Sequence, residues 1–310
     1  MSDRAAPDDR RALLVDAFTD TPLTGTVAGV VPDAAGLSAE RMQAVARELG
    51  ASETAFVLPS PSADRRVRYF TPAAEVDLRG HATVATHVAL HADGTIAAGG
   101  HSLETGVGTI EVEVTDDGAA WMTADAPEVR RLEAGVDVDY DRVAGALNVD
   151  PAALADVGED LPLAVASTGL AYLIVPVNFF EHLSGMAPGS GAVEALCRAV
   201  DATGVYAFTF DTLDVDSTLH GRMFAPLAGV PEDPVTGTAS GAVAAYLRRF
   251  DAFDAMPEEL RLEQGHLVDR PGLVRVRTEG EIRVGGTATV ALDGRLRVPP
   301  GEPDDGIIEA

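Results

Sequence analysis

The sequence predicts an α+β fold of two pseudo-symmetric domains, each a barrel-like, mostly antiparallel sheet wrapped around one central helix. Three observations carry that expectation. A set of segments recurs in the second part of the chain in the same order. Each copy holds a run of small apolar residues at helical spacing with almost no charge, so it must be covered on nearly every side. Most other segments alternate polar and apolar residues, as half-buried strands do.

The repeat is visible in the residues themselves. "RYFTPAAEV" (68–76) returns as "RMFAPLAGV" (222–230), matching at Arg, Phe, Pro, Ala and Val. "GHATVATHVAL" (80–90) then lines up with "GTASGAVAAYL" (237–247), and "ARELGASETAF" (46–56) is echoed more loosely by "CRAVDATGVYAF" (197–208). Chance can match one nonapeptide, but three segments in one order mark duplication. A boundary falls near "DAPEVRRLEAG", giving domains 1–124 and 125–310. The last strand is a candidate to return to the first domain.

Taken in order, "RRVRYFTP" reads as a strand that stops at Pro72. "HATVATHVALHADG" reads as a helix closed by Gly94, and "TASGAVAAYLRRFD" as its counterpart. The most apolar stretch, "LPLAVASTGLAYLIVPVNFF", carries Pro162, Gly169, Pro176 and Asn178. Those breakers suit two buried strands joined at Ser167-Thr168-Gly169 rather than a membrane span. "TIEVEVTDDGAAWMTADAP" and "GLVRVRTEGEIRVGGTATVAL" have the alternation and Gly or Asp turns of antiparallel hairpins.

Bulk properties agree with this organisation and narrow the function. At 310 residues the chain suits two domains of roughly 150 each, and 46% hydrophobic with 23% charged residues is globular. The opening "MSDRAAPDDRR" lacks an apolar core, so a cytoplasmic, soluble protein is expected. The single cysteine, Cys197, excludes an intramolecular disulfide and a cysteine-rich metal cluster. With 49 acidic residues against 23 basic ones, the formal charge of -26 argues against nucleic acid or an anionic membrane as partner. Every basic residue is arginine. A lysine-free acidic surface fits adaptation to high intracellular salt, and an acidic protein from a GC-rich genome gives the same pattern. Without lysine, no internal Schiff base to pyridoxal phosphate or a carbonyl substrate can form.

Both small-residue helices begin at a glycine, in Gly80-His81-Ala82-Thr83 and Gly237-Thr238-Ala239-Ser240. The first N–H groups of a helix are unpaired donors at the positive end of its dipole. Two such starts facing one cleft would clamp a carboxylate. Ordinary capping by Thr and Asp is the alternative for either alone.

"VDAFTDTPLTG", "ASETAFVLP", "RYFTPAAEVDLRGHATVATHVAL", "STGLAYLIV", "MFAPLAGVPEDPVTGTASGAVAAYL" and "LEQGHLVDRPG" together resemble the PhzF-like family, named after an isomerase of phenazine biosynthesis. The resemblance runs from residue 15 to about 272. It implies the fold of diaminopimelate epimerase, an active site between the domains, a homodimer and no cofactor. By the same resemblance Glu53 of "SETAF" would be the proton shuttle, with His81 and Asp233 contacting the substrate and Thr238 standing where many members have serine. Apart from the resemblance, apolar neighbours such as Ala55 and Phe56 are expected to raise the Glu53 pKa toward neutrality, where a carboxyl both takes and returns a proton. Glu53 alone would read as a surface carboxylate, His81 as a helix-start hydrogen bonder and Asp233 as a cap.

The chain departs from the family at three places. The usual Gly-Asn-Pro loop is Gly25-Thr26-Val27, an apolar residue before Gly-His is replaced by Arg79, and the following proline is Ala82. The Arg79 guanidinium could take a second anionic group bidentately or point to solvent. Two-thiol epimerisation is excluded, since Cys197 is alone and reads as a buried helical residue in "ALCRAV". His87 and His91 share a helix face but lack a third ligand, and "TGVGTIEV" is a hairpin entrance, since no helix follows it. No metal site is expected. The expected activity is a cofactor-independent isomerase moving a proton between carbons of a small carboxylate metabolite. Glu53 would move the proton, while Gly80, Gly237, Thr238, His81, Asp233 and Arg79 hold the substrate. A one-base epimerase or racemase, or a silent metabolite-binding protein, are the alternatives.

Overall fold

A computed structural model describes residues 8–132, 138–155, 157 and 161–299. The first half contributes strands β1 (Asp8–Ala17), β2 (Thr26–Val31), β3 (Glu53–Leu58), β4 (Arg65–Phe70), β5 (Glu75–Val76), β6 (Gly99–Thr105), β7 (Gly108–Val114) and β8 (Ala120–Thr123), with helices α1 (Ala39–Leu49) and α2 (Gly80–Ala92). After β9 (Glu128–Arg131) come α3 (Tyr140–Leu147) and α4 (Ala152–Ala155). The second half then runs through β10 (Ala164–Ser167), β11 (Ala171–Pro176), α5 (Phe180–Gly185), α6 (Ser190–Val200), β12 (Gly204–Thr209), β13 (Leu219–Ala225), β14 (Val230–Asp233), α7 (Gly237–Arg249), β15 (Glu259–Gln264), β16 (Gly272–Arg277) and β17 (Arg283–Gly286). The final strand is β18 (Ala288–Val298).

The two halves share one strand diagram. In the first, β1 pairs antiparallel with β2, β2 parallel with β3, β3 antiparallel with β4, β4 parallel with β6, and β6, β7 and β8 form an antiparallel meander. In the second, β10 to β13 and β15 to β17 repeat that order and those directions. The closing strands are exchanged. β9 follows the first half but pairs with β10 of the second, whereas β18 follows the second half and pairs with β1 of the first, from Asp8↔Val298 to Ala17↔Ala288. The expected hairpin at "EIRVGGTATVAL" therefore forms only as far as β17, because β18 leaves for the other sheet.

Each sheet curls around its own helix. α2 touches β1, β2, β3, β7, β8 and β18, and α7 touches β9, β10, β11, β16 and β17, so strands surround both helices. From Ala82 to Leu90 every α2 residue is buried, and in α7 Ala239 to Leu247 are buried. Their small side chains explain this: sheets lie close to a helix only where Ala, Gly, Ser and Thr replace bulk. Residues of both helices join one hydrophobic core. The amphipathic helices α1 and α6 cover the outer faces with separate clusters, and Cys197 of α6 is buried in one of them.

The halves meet where β8 pairs with β17, in the register Met122↔Val284 and Trp121↔Gly285. A Cβ on Gly285 would lie 2.5 Å from the Ala120 carbonyl oxygen and from the Trp121 ring, so only glycine admits this approach. Arg277 stacks on the buried Trp121 ring at 3.9 Å and pairs with Glu113 of β7 at 3.2 Å, tying the joint from its other face.

Candidate active site

Glu53 is the first residue of β3, opposite Ala28, and the equivalent first residue of β12, opposite Tyr172, is Gly204. A Cβ at Gly204 would lie 2.7 Å from the Phe224 carbonyl oxygen. Only the first half therefore carries an acid here.

The Glu53 carboxylate is 12% exposed and held on both oxygens. Arg79 donates from Nε to Oε1 at 2.9 Å, and His81 Nε2 lies 3.2 Å from Oε2. The Ser52 hydroxyl sits 3.3 Å from the same His81 nitrogen. Burial by itself would raise the Glu53 pKa. Hydrogen bonds from His81 and Ser52, with the charges of His81 and Arg79, outweigh it and bring the pKa down to about 2. This corrects the expected rise. Side chains alternate along a strand, so Ala55 lies in the central core but Phe56 points to the outer cluster under α1, away from the carboxylate. Arg79 also donates to the Leu78 carbonyl oxygen at 3.1 Å, and its Nε is taken by Glu53 while the side chain stays partly open to solvent.

Across from this pair, Asp233 ends β14. It accepts from Thr236 Oγ1 at 2.5 Å, and Gln264 locks the turn by donating to the Asp233 carbonyl oxygen at 2.7 Å and accepting from the Thr236 N–H at 3.2 Å. Burial chiefly, and the negative charge of Glu53, raise the Asp233 pKa against the opposing pull of Thr236 and His81. Two carboxyls in one electrostatic neighbourhood are thus driven apart, one toward the anion and the other toward the neutral acid. Such divergence separates the roles of base and hydrogen-bond donor.

Helices α2 and α7 both start at this cluster, and neither first turn has a side-chain cap. Instead Thr83 and Ser240 turn their hydroxyls back onto the carbonyls of Arg79 and Thr236, at 2.8 and 2.9 Å. The leading N–H groups of Gly80 to Ala82 and Gly237 to Ala239 are left as free donors by helix geometry. Gly237 packs tightly against the Phe18 ring, where a Cβ would be 3.2 Å away, while Gly80 has ordinary room beside Met122. Phe18 itself is buried with φ of 64°, a rare backbone state for a bulky residue.

Thr238 shares a 2.9 Å hydrogen bond with the Tyr172 hydroxyl, which burial pushes up to about 12 and which responds to Asp233 and Arg79. Thr26, at the family's asparagine position, bridges the halves: its hydroxyl donates to the Val235 carbonyl oxygen at 2.8 Å and accepts from the Val235 N–H at 3.0 Å. All seven residues singled out in the sequence lie in this neighbourhood. Sequence reading missed Ser52, Tyr172, Thr236 and Gln264. Ser52 adjoins Glu53 and Gln264 lies in "LEQGHLVDRPG", but hydroxyl and amide positions become informative only once the turn they hold is seen. His87 and His91 bond to the carbonyls of Thr83 and Ile96 at 2.8 and 3.2 Å, as packed helical residues. Among the described residues no helix is long and apolar enough to cross a membrane.

Residues 15–294 match the family described as phenazine biosynthesis-like protein, PhzC-PhzF. A Bacillus subtilis protein named uncharacterized isomerase YfhB is 35% identical over 91% of this chain and 96% of its own. The trans-2,3-dihydro-3-hydroxyanthranilate isomerase of Pseudomonas aeruginosa is 31% identical over 92% of this chain and 98% of its own. A PhzF-family protein of Bacillus anthracis has a solved structure that superposes with a TM-score of 0.83 at 32% identity, covering 94% of this chain and 100% of that one. A hydroxyproline epimerase from Agrobacterium vitis shares the fold at 15% identity and a TM-score of 0.58, over 95% of this chain and 93% of its own.

Proposed function

Because the chain belongs to the phenazine biosynthesis-like PhzC-PhzF family and is an isomerase, we propose that it moves a proton between carbons of a small carboxylate substrate through Glu53, without a cofactor. The observation that carries this reading is the divergence of two carboxyls beside two uncapped helix starts: Glu53 held as the anion, Asp233 pushed toward the acid.

The substrate carboxylate takes the N–H groups that open α2 and α7, a ready anion site at the two positive dipole ends. Its charge also competes for Arg79. Drawing that guanidinium off Glu53 removes a partner that holds the carboxylate ionised, and burial then raises the affinity of Glu53 for a proton. Glu53 abstracts the proton from one carbon and returns it to another, which requires the substrate to be held still. Asp233, His81 and the Thr238 hydroxyl fix its polar groups. With Glu53 as the one group that carries the proton and no thiol pair, the proton leaves and returns on one face.

The test is incubation in D₂O with a panel of small carboxylates, including the substrate named for the Pseudomonas aeruginosa relative, with carbon-bound deuterium read by NMR. Wild type labels a substrate. Glu53→Gln slows labelling by about 100-fold or more, the usual scale of a positioned proton-transfer group. Labelling at the wild-type rate in that variant would sink the assignment.

A further inference from the structure

β15 presents two neighbouring side chains to opposite faces. Gln264 faces the Asp233 turn, whereas Glu263 faces away from it toward β13, where His220 is its direct partner in register. His266 follows in the short 3-10 turn His266–Val268. One donor atom from each of His220, Glu263 and His266 lies within 4.8 Å of the other two.

The protonation pattern follows from the hydrogen bonds. Glu263 accepts from the N–H groups of Leu213 and Asp214 at 3.0 and 2.7 Å and sits 3.0 Å from His220 Nδ1. A carboxylate only accepts, so Nδ1 carries the proton and Nε2 of the neutral ring keeps its lone pair. That Nε2 is buried and has no hydrogen-bond partner among the described residues, and the same holds for His266 Nδ1. The two rings are 4.9 Å apart, and the Phe180 ring covers His220 at the same distance. His220 is fully buried. Two unpaired imidazole nitrogens on rings 4.9 Å apart, one ring oriented by a carboxylate, leave the fold with an unmet need that a hydrogen bond elsewhere does not satisfy.

We propose that His220, Glu263 and His266 form a binding site for a borderline divalent cation of the Zn²⁺ class, with both imidazoles as ligands and Glu263 orienting His220 and offsetting the ion's charge. A carboxylate behind a ligating imidazole is the usual second layer of such a centre. Imidazole suits this class of ion and disfavours Mg²⁺ and Ca²⁺, which take oxygen. Ligand atoms around a four-coordinate ion at about 2.1 Å sit roughly 3.4 Å apart, so the cluster closes slightly on binding. The half-buried His266 on its short turn is the side that moves, and water completes the coordination. None of the three residues is among those proposed to hold the substrate. The ion clips the 266–268 turn to β13, just ahead of Arg270, which bonds to Asp16 Oδ1 and to the carbonyls of Thr24 and Gly25 at 2.7, 2.9 and 2.8 Å. The site stands independently of the proposed reaction.

The experiment uses the full chain, stripped with a chelator and titrated with Co²⁺ or Zn²⁺ alone. Wild type is expected to bind one Co²⁺ with the visible absorption of imidazole ligation, displaced by Zn²⁺ but not by excess Mg²⁺. His266→Ala abolishes the absorption, and Glu263→Gln weakens binding about 10- to 100-fold. Independently of any variant, Zn²⁺ protects His266 from acylation by diethyl pyrocarbonate while leaving His182 reactive. Absence of the absorption in wild type, its persistence in His266→Ala, displacement by Mg²⁺, or unchanged acylation of His266 overturns the proposal.

Discussion

Glu53 shows why a proposed proton shuttle is legible in sequence while its ionisation is not. The residue type and its "SETAF" setting are local, but the pKa depends on Arg79 and His81, which arrive from the start of α2. A free-site pKa of about 2 lies below the usual carboxylate value of 4.5. Its contribution to stability is therefore fully present above about pH 4.5 and lost as pH falls from there toward 2. Replacing Arg79 by Ala removes one of the charges that depress it. The Glu53 pKa in Arg79→Ala is expected to move upward, and the acid limb of kcat/KM with it. Carbon-13 NMR titration of the Glu53 carboxyl beside the pH–rate profile tests this, and coincident titrations in variant and wild type would show that Arg79 does not control the acid.

Among the elements, the two central helices were the most legible, because a run of Ala, Val, Gly and Thr closed by a charged end has few ways to be buried except inside a curled sheet. Leu90 and Leu247 occupy the same place in "GHATVATHVAL" and "GTASGAVAAYL", and both are 1% exposed or less. Leu90→Ala and Leu247→Ala should each cost about 2–5 kcal/mol by cavity formation in a core that cannot collapse. Chemical denaturation of both variants measures this, and a loss in only one of them would mean that the halves are not equivalently packed. The strands were less legible. Alternation locates β7, β8, β16 and β17, but it carries no partner, so for β18 it leaves open both a hairpin with β17 and a return to the first domain, and the hydrogen bonds go to β1. Pairing is a long-range property, and a strand with one polar face satisfies it equally well in either sheet. The same limit hid the His220–Glu263 pair, whose members are 43 residues apart and adjacent only through parallel register.

For the molecule as a whole, 49 carboxylates face 23 guanidinium groups, so 26 negative charges have no internal counterpart. At low ionic strength they repel across the surface, and at molar salt the Debye length shrinks to about 3 Å and the repulsion is lost. The midpoint of thermal unfolding should therefore rise from low to molar KCl, and equal midpoints would remove the inference of adaptation to salt.

The exchanged strands set the order in which this chain becomes a protein. A ribosome delivers β1 first and β18 last, yet they are hydrogen-bonded neighbours from Asp8↔Val298 onward. Throughout elongation the nascent first half holds an open edge at β1 that its own residues cannot close, and exposed edges invite pairing with other chains. Loss of the C-terminal strand should then injure the opposite end of the sequence: a chain ending before Ala288 is expected to lose hydrogen-exchange protection in residues 8–12, which among the described residues pair with β18 alone, while β12 and β13 keep theirs. For the same reason termination just before Ala288 would leave the N-terminal half, not the C-terminal one, for chaperones and proteases to clear.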